Sequence, residues 1–213
     1  MGLFKTSIIS LICCSTLFSF EHKNHILYLM NVKEYQQSIN YYQKLYKETH
    51  EQDFELLQQM ALLLLEAGAK SSDQKERQMA MFGAGLAAST RSLKILEKGL
   101  FAPEMATQLT ALHFICALQD NDINTLLVRA MSSDFLETRV EAAIQLATRK
   151  HPCAFGQIQS LMQKLPPFLK PLFPQFFGLI GTSDSTRILK EFLYDEEPNV
   201  RVQSIIAIAN SNR

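Results

Sequence analysis

The sequence predicts an all-α protein in which antiparallel helix pairs stack along the chain. Three observations support that prediction: the composition, the helical spacing of the apolar residues and an internal repeat. Of the 213 residues, 47% are hydrophobic, so a packed core is expected. The eight Gly and seven Pro are too few for a turn-rich β-sandwich, which leaves helices as the favoured element.

The charge balance limits the classes of partner. The chain carries 21 basic and 21 acidic side chains. A neutral chain is a poor candidate for binding nucleic acid or an anionic membrane through its overall charge. Trp, a common aromatic anchor for sugars and bases, is absent. We therefore expect a protein partner of unknown identity, no nucleic-acid partner and no cofactor.

Residues 1–20 have the pattern of a signal peptide or N-terminal hydrophobic leader. Lys5 is followed by fifteen uncharged, mostly apolar residues, and Glu21 ends the run. This apolar segment is shorter than the roughly 20 residues that a spanning helix needs. We expect an exported protein, located in the periplasm, in the cell envelope or outside the cell, with no integral membrane span once the leader is removed.

Two alternatives remain open for this segment. Cys13 and Cys14 weakly resemble a lipoprotein box, in which case the leader would be lipidated. If translation starts at Met30 instead, the protein would be cytoplasmic.

Residues 21–69 are predicted to be N-terminal capping helices. In a first helix, apolar residues are spaced by three and four positions, at Tyr35, Ile39, Tyr42 and Leu45. A second helix is expected from Gln52 to Ala67, because it contains a run of four leucines that is apolar on all sides. We expect these helices to cover the open N-terminal end of the stack.

From Leu65 onward, residues of the same character recur every 31 positions without an insertion. The first helix of each repeat has a core column of Leu65, Leu96, Leu127, Ile158 and Leu189. The second helix has a core column of Met81, Leu112, Ala143, Pro174 and Ile205. Beside it runs a column of mostly small residues, Ala80, Ala111, Ala142, Phe173 and Ser204. Because one helix pair cannot bury its apolar face alone, the pairs are expected to stack on one another.

A basic column accompanies the second helices. It contains Arg77, Gln108, Arg139, Lys170 and Arg201. Arg139 or Arg201 could hydrogen-bond a carbonyl or an Asp in the neighbouring turn and so tie one repeat to the next. We therefore assign a repeat-stacking role to Arg77, Arg139, Lys170 and Arg201, and a ligand-binding role is the alternative.

The segment from Pro198 to Ala207, together with the segment from Thr138 to Ala147, resembles the second helix of HEAT repeats, especially their short subclass. The resemblance covers residues 70–213, which we expect to form a HEAT-like repeat array. It implies a right-handed α-solenoid, an armadillo-type superhelix used as a protein-binding surface, and it implies no catalytic residues. Combined with the leader, the chain looks like an exported bacterial HEAT-repeat protein.

One repeat is irregular, because Pro171 and Pro174 fall inside its second helix. Proline lacks the main-chain donor and clashes with the preceding turn, so this helix should kink or restart near Pro171. The phenylalanines around it allow two interpretations. In the first, Phe173 and Phe177 fill space that small residues leave in other repeats. In the second, an apolar groove for a helix of a partner is formed by Phe168, Leu172, Phe176 and Leu179.

The sequence contains no convincing catalytic or metal-binding constellation. None of the five His residues lies at metal-ligand spacing beside a Cys or carboxylate partner. Cys116 is expected to be a buried apolar thiol and Cys153 to begin a first helix, with a disulfide between them possible in an oxidising compartment.

Two functions from different classes follow. The favoured one is a non-enzymatic scaffold for protein–protein interaction. The alternative is a HEAT-like enzyme, such as a pigment–protein lyase or a DNA glycosylase. A glycosylase is expected to have a basic concave face, and a lyase is expected to have clustered acid or His residues, and neither pattern is found.

The last repeat lacks a polar capping repeat behind it, because Asn210 to Arg213 directly follow an apolar second helix. A terminal repeat normally has a polar outer face. We therefore expect the array to be incomplete at its C-terminal end, with missing repeats or another subunit covering that end.

Overall fold

A computed structural model describes residues 21–118 and 122–211. Within these ranges the secondary structure is helical and contains no strand, which confirms the predicted all-α class. The predicted leader at residues 1–20 lies outside the described residues. The chain divides into two compact units, with the boundary between Ser72 and Asp73.

The first unit contains three helices. They are α1, described over residues 21–31, α2 (Tyr35–Thr49) and α3 (Phe54–Gly68). Their core is formed by Ile26, Met30, Leu56 and Met60. The buried hydroxyl of Ser38 donates a hydrogen bond to the carbonyl of Ile26 at 3.0 Å, which joins α2 to α1.

Asp53 determines where α3 begins. Its Oδ1 accepts a hydrogen bond from the main-chain N–H of Leu56 at 3.0 Å, which satisfies a donor that the first helical turn leaves free. Its Oδ2 lies 2.6 Å from Nζ of Lys23. The Lys23 hydrogen bond and the Leu56 N–H hold the pKa of Asp53 below its ordinary value, although burial opposes them.

The second unit contains nine α-helices within its described residues. They are α4 (Gln74–Leu86), α5 (Leu93–Leu100), α6 (Met105–Ala117), α7 (Ile123–Ala130), α8 (Leu136–Thr148), α9 (Ala154–Lys164), α10 (Phe173–Ile180), α11 (Ser183–Phe192) and α12 (Pro198–Ser211). Short 3₁₀ segments precede two of them, Thr90–Ser92 before α5 and Pro167–Leu172 before α10.

These helices have a repeat-like arrangement. The even-numbered helices α4, α6, α8, α10 and α12, called the second helices below, each contact the next one in the series. The odd-numbered helices α5, α7, α9 and α11, called the first helices, each contact the second helix before them and the one after them. The first-helix core column is buried at Leu96, Leu127, Ile158 and Leu189, as predicted.

Gly99 shows how closely these helices approach. A Cβ at Gly99 of α5 would lie 2.7 Å from the Cβ of Ala111 in α6, and it would also overlap the sulfur of Met81 in α4. Real side-chain atoms do not approach so closely. The glycine therefore lets α5 sit in the groove between α4 and α6.

The irregular repeat restarts as predicted. Pro171 lies in the 3₁₀ segment, and α10 begins at Phe173 with Pro174 in its first turn. A main-chain N–H in the first helical turn has no acceptor within the helix, so proline is tolerated there. The new start thus avoids the cost of about 3 kcal/mol that proline imposes inside a helix.

Candidate functional site

The second helices share an exposed face with little charge. We define this second-helix face by the positions of Met79, Phe82 and Leu86 in α4 and their counterparts 31 residues apart. The counterparts are Thr110, His113 and Ala117; Glu141, Ile144 and Thr148; Leu172, Gln175 and Leu179; and Gln203, Ile206 and Asn210. None of these positions is buried. Glu141 is the only one of them that carries a carboxylate or an ammonium or guanidinium group.

The apolar character is strongest on α4. Met79 is 68% exposed and Leu86 is 78% exposed, and Phe82 lies between them on the same side of the helix. The ring of Phe82 meets that of Phe114 edge-on, with centroids 5.7 Å apart. A Cβ at Gly85 would overlap the Phe114 ring, so the glycine makes room for this aromatic contact.

The single carboxylate on this face has a partner. Oε1 of Glu141 accepts a hydrogen bond from Nε2 of Gln145 at 2.9 Å, one turn further along α8. The exposed side chains of the first helices are different in kind. Those of α5 and α11 include Lys94, Lys98, Lys190 and Glu191. Beyond the basic column, the second helices therefore expose a less charged surface than α5 and α11 do.

The predicted groove is only partly exposed, and its expected composition is corrected. Phe168 is 75% exposed and Leu172 is also exposed, but Phe176 is only 4% exposed and Leu179 is half-buried. Phe176 packs against Phe173, with ring centroids 5.6 Å apart. The exposed part of the predicted groove is therefore Phe168 and Leu172.

The packing of α10 explains this correction. This helix contacts α8, α9, α11 and α12, so neighbouring helices cover it on more than one side. Phe176 is therefore buried together with Phe173 and Phe177, and only Phe168 and Leu172, which precede α10, stay exposed among the four predicted residues.

The basic column is directed into the turns between helices. Nη1 of Arg139 donates to the carbonyls of Ser133 at 2.6 Å and Asp134 at 3.1 Å. Nη1 of Arg201 donates to the carbonyls of Asp195 at 2.8 Å and Glu196 at 3.0 Å. Both arginines thus contact the carbonyls six and five residues earlier, in the turn that precedes their own helix.

The contacts to the following turn come from other members of the column. Nζ of Lys170 lies 2.5 Å from Oδ2 of Asp195, and Arg77 forms an ion pair with Glu104. Gln108 is the uncharged member of this column. Its Oε1 accepts a hydrogen bond from the hydroxyl of Ser133 at 2.6 Å. Of the four residues predicted to stack the repeats, Arg77 and Lys170 thus bind a carboxylate in the turn of the next repeat, whereas Arg139 and Arg201 bind carbonyls in the turn of their own repeat.

Asp195 is a turn carboxylate held by groups from two repeats. Partial burial raises its pKa, but three effects outweigh burial: the Lys170 hydrogen bond, the main-chain N–H of Glu197 and the positive charges of Lys170 and Arg201. They hold the pKa of Asp195 below its ordinary value. The carboxylate is therefore ionised at neutral pH and serves as an acceptor at the junction of two repeats.

Cys116 and Cys153 are both free thiols. Burial raises the pKa of Cys116 to about 11, against the opposing charge of Arg149, and burial also raises the pKa of Cys153. The structure also places Nδ1 of His151 2.8 Å from Sγ of Cys153, a contact that the sequence prediction missed. The only sequence signal for this contact was the His-Pro-Cys spacing, because a turn at proline can bring residues i and i+2 together.

The described part of the chain holds no group of three or more His, Cys, Asp or Glu side chains that could bind a metal ion. Among its helices, none combines the length and apolar character that crossing a membrane requires.

Comparison with protein-family models finds none that matches this sequence, and comparison with curated proteins finds no matching sequence either.

Proposed function

We propose that this protein is a non-enzymatic scaffold that binds another protein on its second-helix face. The proposal includes a right-handed α-solenoid of HEAT-like type for residues 73–211. Three features support this architecture. The second helices contact one another in series, the first helices bridge them, and the turns repeat the same hydrogen bonds to the basic column.

The observation that carries the proposal is the scarcity of charge on the second-helix face. The segments of the second helices beyond the basic column are residues 78–86, 109–117, 140–148, 171–180 and 202–211. Glu141 is their only charged residue, in a chain that is 20% charged overall. Exposed apolar surface of this kind marks binding sites for proteins, because burying it on a partner removes it from water.

The same observation defines the chemistry of the partner. A nucleic acid would require cations that neutralise phosphates, and the second-helix face has none. Met79, Phe82 and Leu86 would instead receive apolar side chains, for example those of an amphipathic helix. The polar positions on the face, such as Thr148, Gln175 and Gln203, offer uncharged hydrogen-bonding groups. A partner with an uncharged, largely apolar segment fits these features.

We further propose that the partner shares the compartment to which residues 1–20 direct the protein, namely the periplasm, the cell envelope or the exterior. The HEAT-like enzyme remains the alternative, and no feature of the second-helix face favours it. A lyase or a glycosylase would use clustered acid, His or basic groups at such a face, and among the positions that define the face only Glu141 and His113 belong to these residue types.

The test is affinity capture from the organism that makes the protein, followed by quantitative mass spectrometry. The tagged wild-type chain is compared with the double variant Phe82→Ser/Leu86→Ser. Lys94→Ser/Lys190→Ser, altered on exposed first-helix residues, serves as the matched control. We expect a reproducible partner that the first variant loses and the control retains, while circular dichroism shows the same helical content for all three chains. A partner captured equally by Phe82→Ser/Leu86→Ser, or no partner at all, contradicts the proposal.

A further inference from the structure

Met79 is the most exposed methionine among the described residues of the chain. Its side chain on α4 is 68% exposed, whereas Met105 on α6 is 36% exposed and the other described methionines are half-buried or buried. Met81, only two residues further along α4, is 1% exposed. The sulfur of Met81 packs so closely against α5 that a Cβ at Gly99 would overlap it. The same helix thus presents one thioether to solvent and holds another in the core.

Exposure decides which methionines react with peroxides, because the oxidant must reach the sulfur. A lone pair of the Met79 sulfur attacks one oxygen of a hydroperoxide, so that an S–O bond forms and the O–O bond breaks. The second oxygen takes up the proton of the transferred oxygen and leaves as water, or as an alcohol if the hydroperoxide is organic. The sulfur is oxidised by two electrons and the hydroperoxide is reduced by two, so the reaction needs no further reactant.

The product changes the chemistry of the surface on which Met79 lies. Met79 shares its side of α4 with Phe82 and Leu86, which are 42% and 78% exposed. Oxidation converts a flexible apolar side chain into a polar, chiral sulfoxide. Neither the phenylalanine nor the leucine side chain has a group that donates a hydrogen bond to the new oxygen. Burying this oxygen against an apolar partner is therefore unfavourable.

We propose that Met79 is a site of reversible oxidation by hydroperoxides and that its sulfoxide weakens protein binding on the second-helix face. The effect on binding rests on the function proposed above, whereas the selective oxidation of Met79 does not. Methionine sulfoxide reductases restore the thioether, so the change is reversible. A leucine at this position would offer a similar apolar surface without the response to peroxide.

Peptide mass spectrometry of the full chain treated with hydrogen peroxide tests the oxidation. Met79 and Met81 lie in one tryptic peptide, residues 78–91, and fragment ions distinguish them. In the folded chain we expect Met79 to be oxidised at least about ten times faster than Met81, because of these two only Met79 is open to solvent. The two rates should become equal in urea. Equal rates in the folded chain overturn the proposal.

Affinity capture from the native host tests the effect on binding. Each tagged chain is used before and after peroxide treatment, and the proteins scored are those that wild type captures and Phe82→Ser/Leu86→Ser loses. Oxidised wild type should bind these proteins about tenfold more weakly, and a mixture of methionine sulfoxide reductases should restore binding. The matched control is Met79→Leu, which should capture them equally before and after peroxide. Circular dichroism should show the same helical content throughout.

The possible outcomes separate this inference from the proposed function. Undiminished capture by oxidised wild type, or an equal loss of capture by oxidised Met79→Leu, overturns the inference and leaves the proposed function intact. If no captured protein depends on Phe82 and Leu86, the proposed function is wrong, and the effect of oxidation on binding is wrong with it. The relative oxidation rates of Met79 and Met81 still decide in that case whether Met79 is a selective oxidation site.

Discussion

Ser133 and Asp195, 62 residues and two repeats apart, make the same three contacts. Each side chain accepts the main-chain N–H two residues later, from Phe135 at 3.1 Å and from Glu197 at 3.0 Å. Each side chain also binds the basic-column residue of the preceding repeat, Gln108 or Lys170. Each carbonyl accepts from the arginine of its own repeat. One residue per turn thus connects two repeats, through neutral groups in one case and charged groups in the other.

Removal of the Asp195 side chain should destabilise the second unit. Asp195→Ala leaves Lys170 without its partner and the Glu197 N–H without its acceptor, so we expect a loss of about 1–3 kcal/mol in the free energy of unfolding. Asp195→Asn keeps the acceptor for the N–H and should cost less. Urea denaturation followed by circular dichroism measures both.

The control is the exposed ion pair between Arg187 and Glu191 on α11. Glu191→Gln should change the unfolding free energy by less than about 0.5 kcal/mol, because solvent-exposed pairs one helical turn apart contribute little. If Glu191→Gln and Asp195→Ala had equal effects, the turn contacts would not stabilise the repeat junction.

Acid should lower the free energy of unfolding, partly because it protonates Asp195. Its folded-state pKa lies below the ordinary value of about 3.9 for the unfolded chain. The resulting stabilisation is fully present above the unfolded-state pKa and is lost as the pH falls through the lower, folded-state pKa. The urea midpoint of wild type should therefore fall more between pH 6 and about pH 2 than that of Asp195→Asn. Parallel pH dependences of the two chains would contradict this assignment.

Two Gly→Ala substitutions inside helices should have opposite effects. At Gly85 the added methyl group would overlap the Phe114 ring, so we expect destabilisation of about 1–3 kcal/mol. At Gly156 in α9 the new Cβ would meet no atom within 4 Å apart from its chain neighbours and the adjoining backbone of α9, and alanine should stabilise the helix by about 0.5–1 kcal/mol. Thermal unfolding of both variants measures the contrast. A stabilising Gly85→Ala would mean that the α4–α6 contact is looser than described.

Phe168 in the 3₁₀ segment and Phe176 in α10 should respond differently to substitution by serine. Phe176 is buried, so Phe176→Ser should lower the unfolding free energy by about 3–5 kcal/mol. Phe168 is exposed, and Phe168→Ser should stay within about 0.5 kcal/mol of wild type. If Phe168 and Leu172 contact the partner, Phe168→Ser should reduce affinity capture without changing the melting temperature. Unchanged capture would remove these two residues from the binding surface.

Cys116 should resist alkylation in the folded protein. Its pKa of about 11 leaves little thiolate near pH 8, and its side chain in α6 is half-buried. Cys153 is half-buried in the turn before α9, so iodoacetamide should label it faster, as measured by peptide mass spectrometry. The two rates should become equal in urea. Equal rates in the folded state would show that Cys116 is accessible.

The sequence predicted most of the helical framework because its signals are local. Apolar residues at helical spacing and a repeat of 31 residues identified the buried columns at Leu96, Leu127 and Ile158. The restart near Pro171 was predictable for the same reason, since proline acts on the turn in which it lies. The candidate surface was harder to predict, because Met79 and Leu86 have the spacing of ordinary core residues and only their exposure distinguishes them.

The sequence by itself determined the helical class and the period of the repeat, since both depend on spacing along the chain. The tertiary structure decided which apolar residues are covered. Phe176 lies in the core because α10 packs against α8, α9, α11 and α12. Ile205 is exposed although its counterparts are buried. Burial depends on whether another helix packs against a residue, and helical spacing alone does not specify that neighbour.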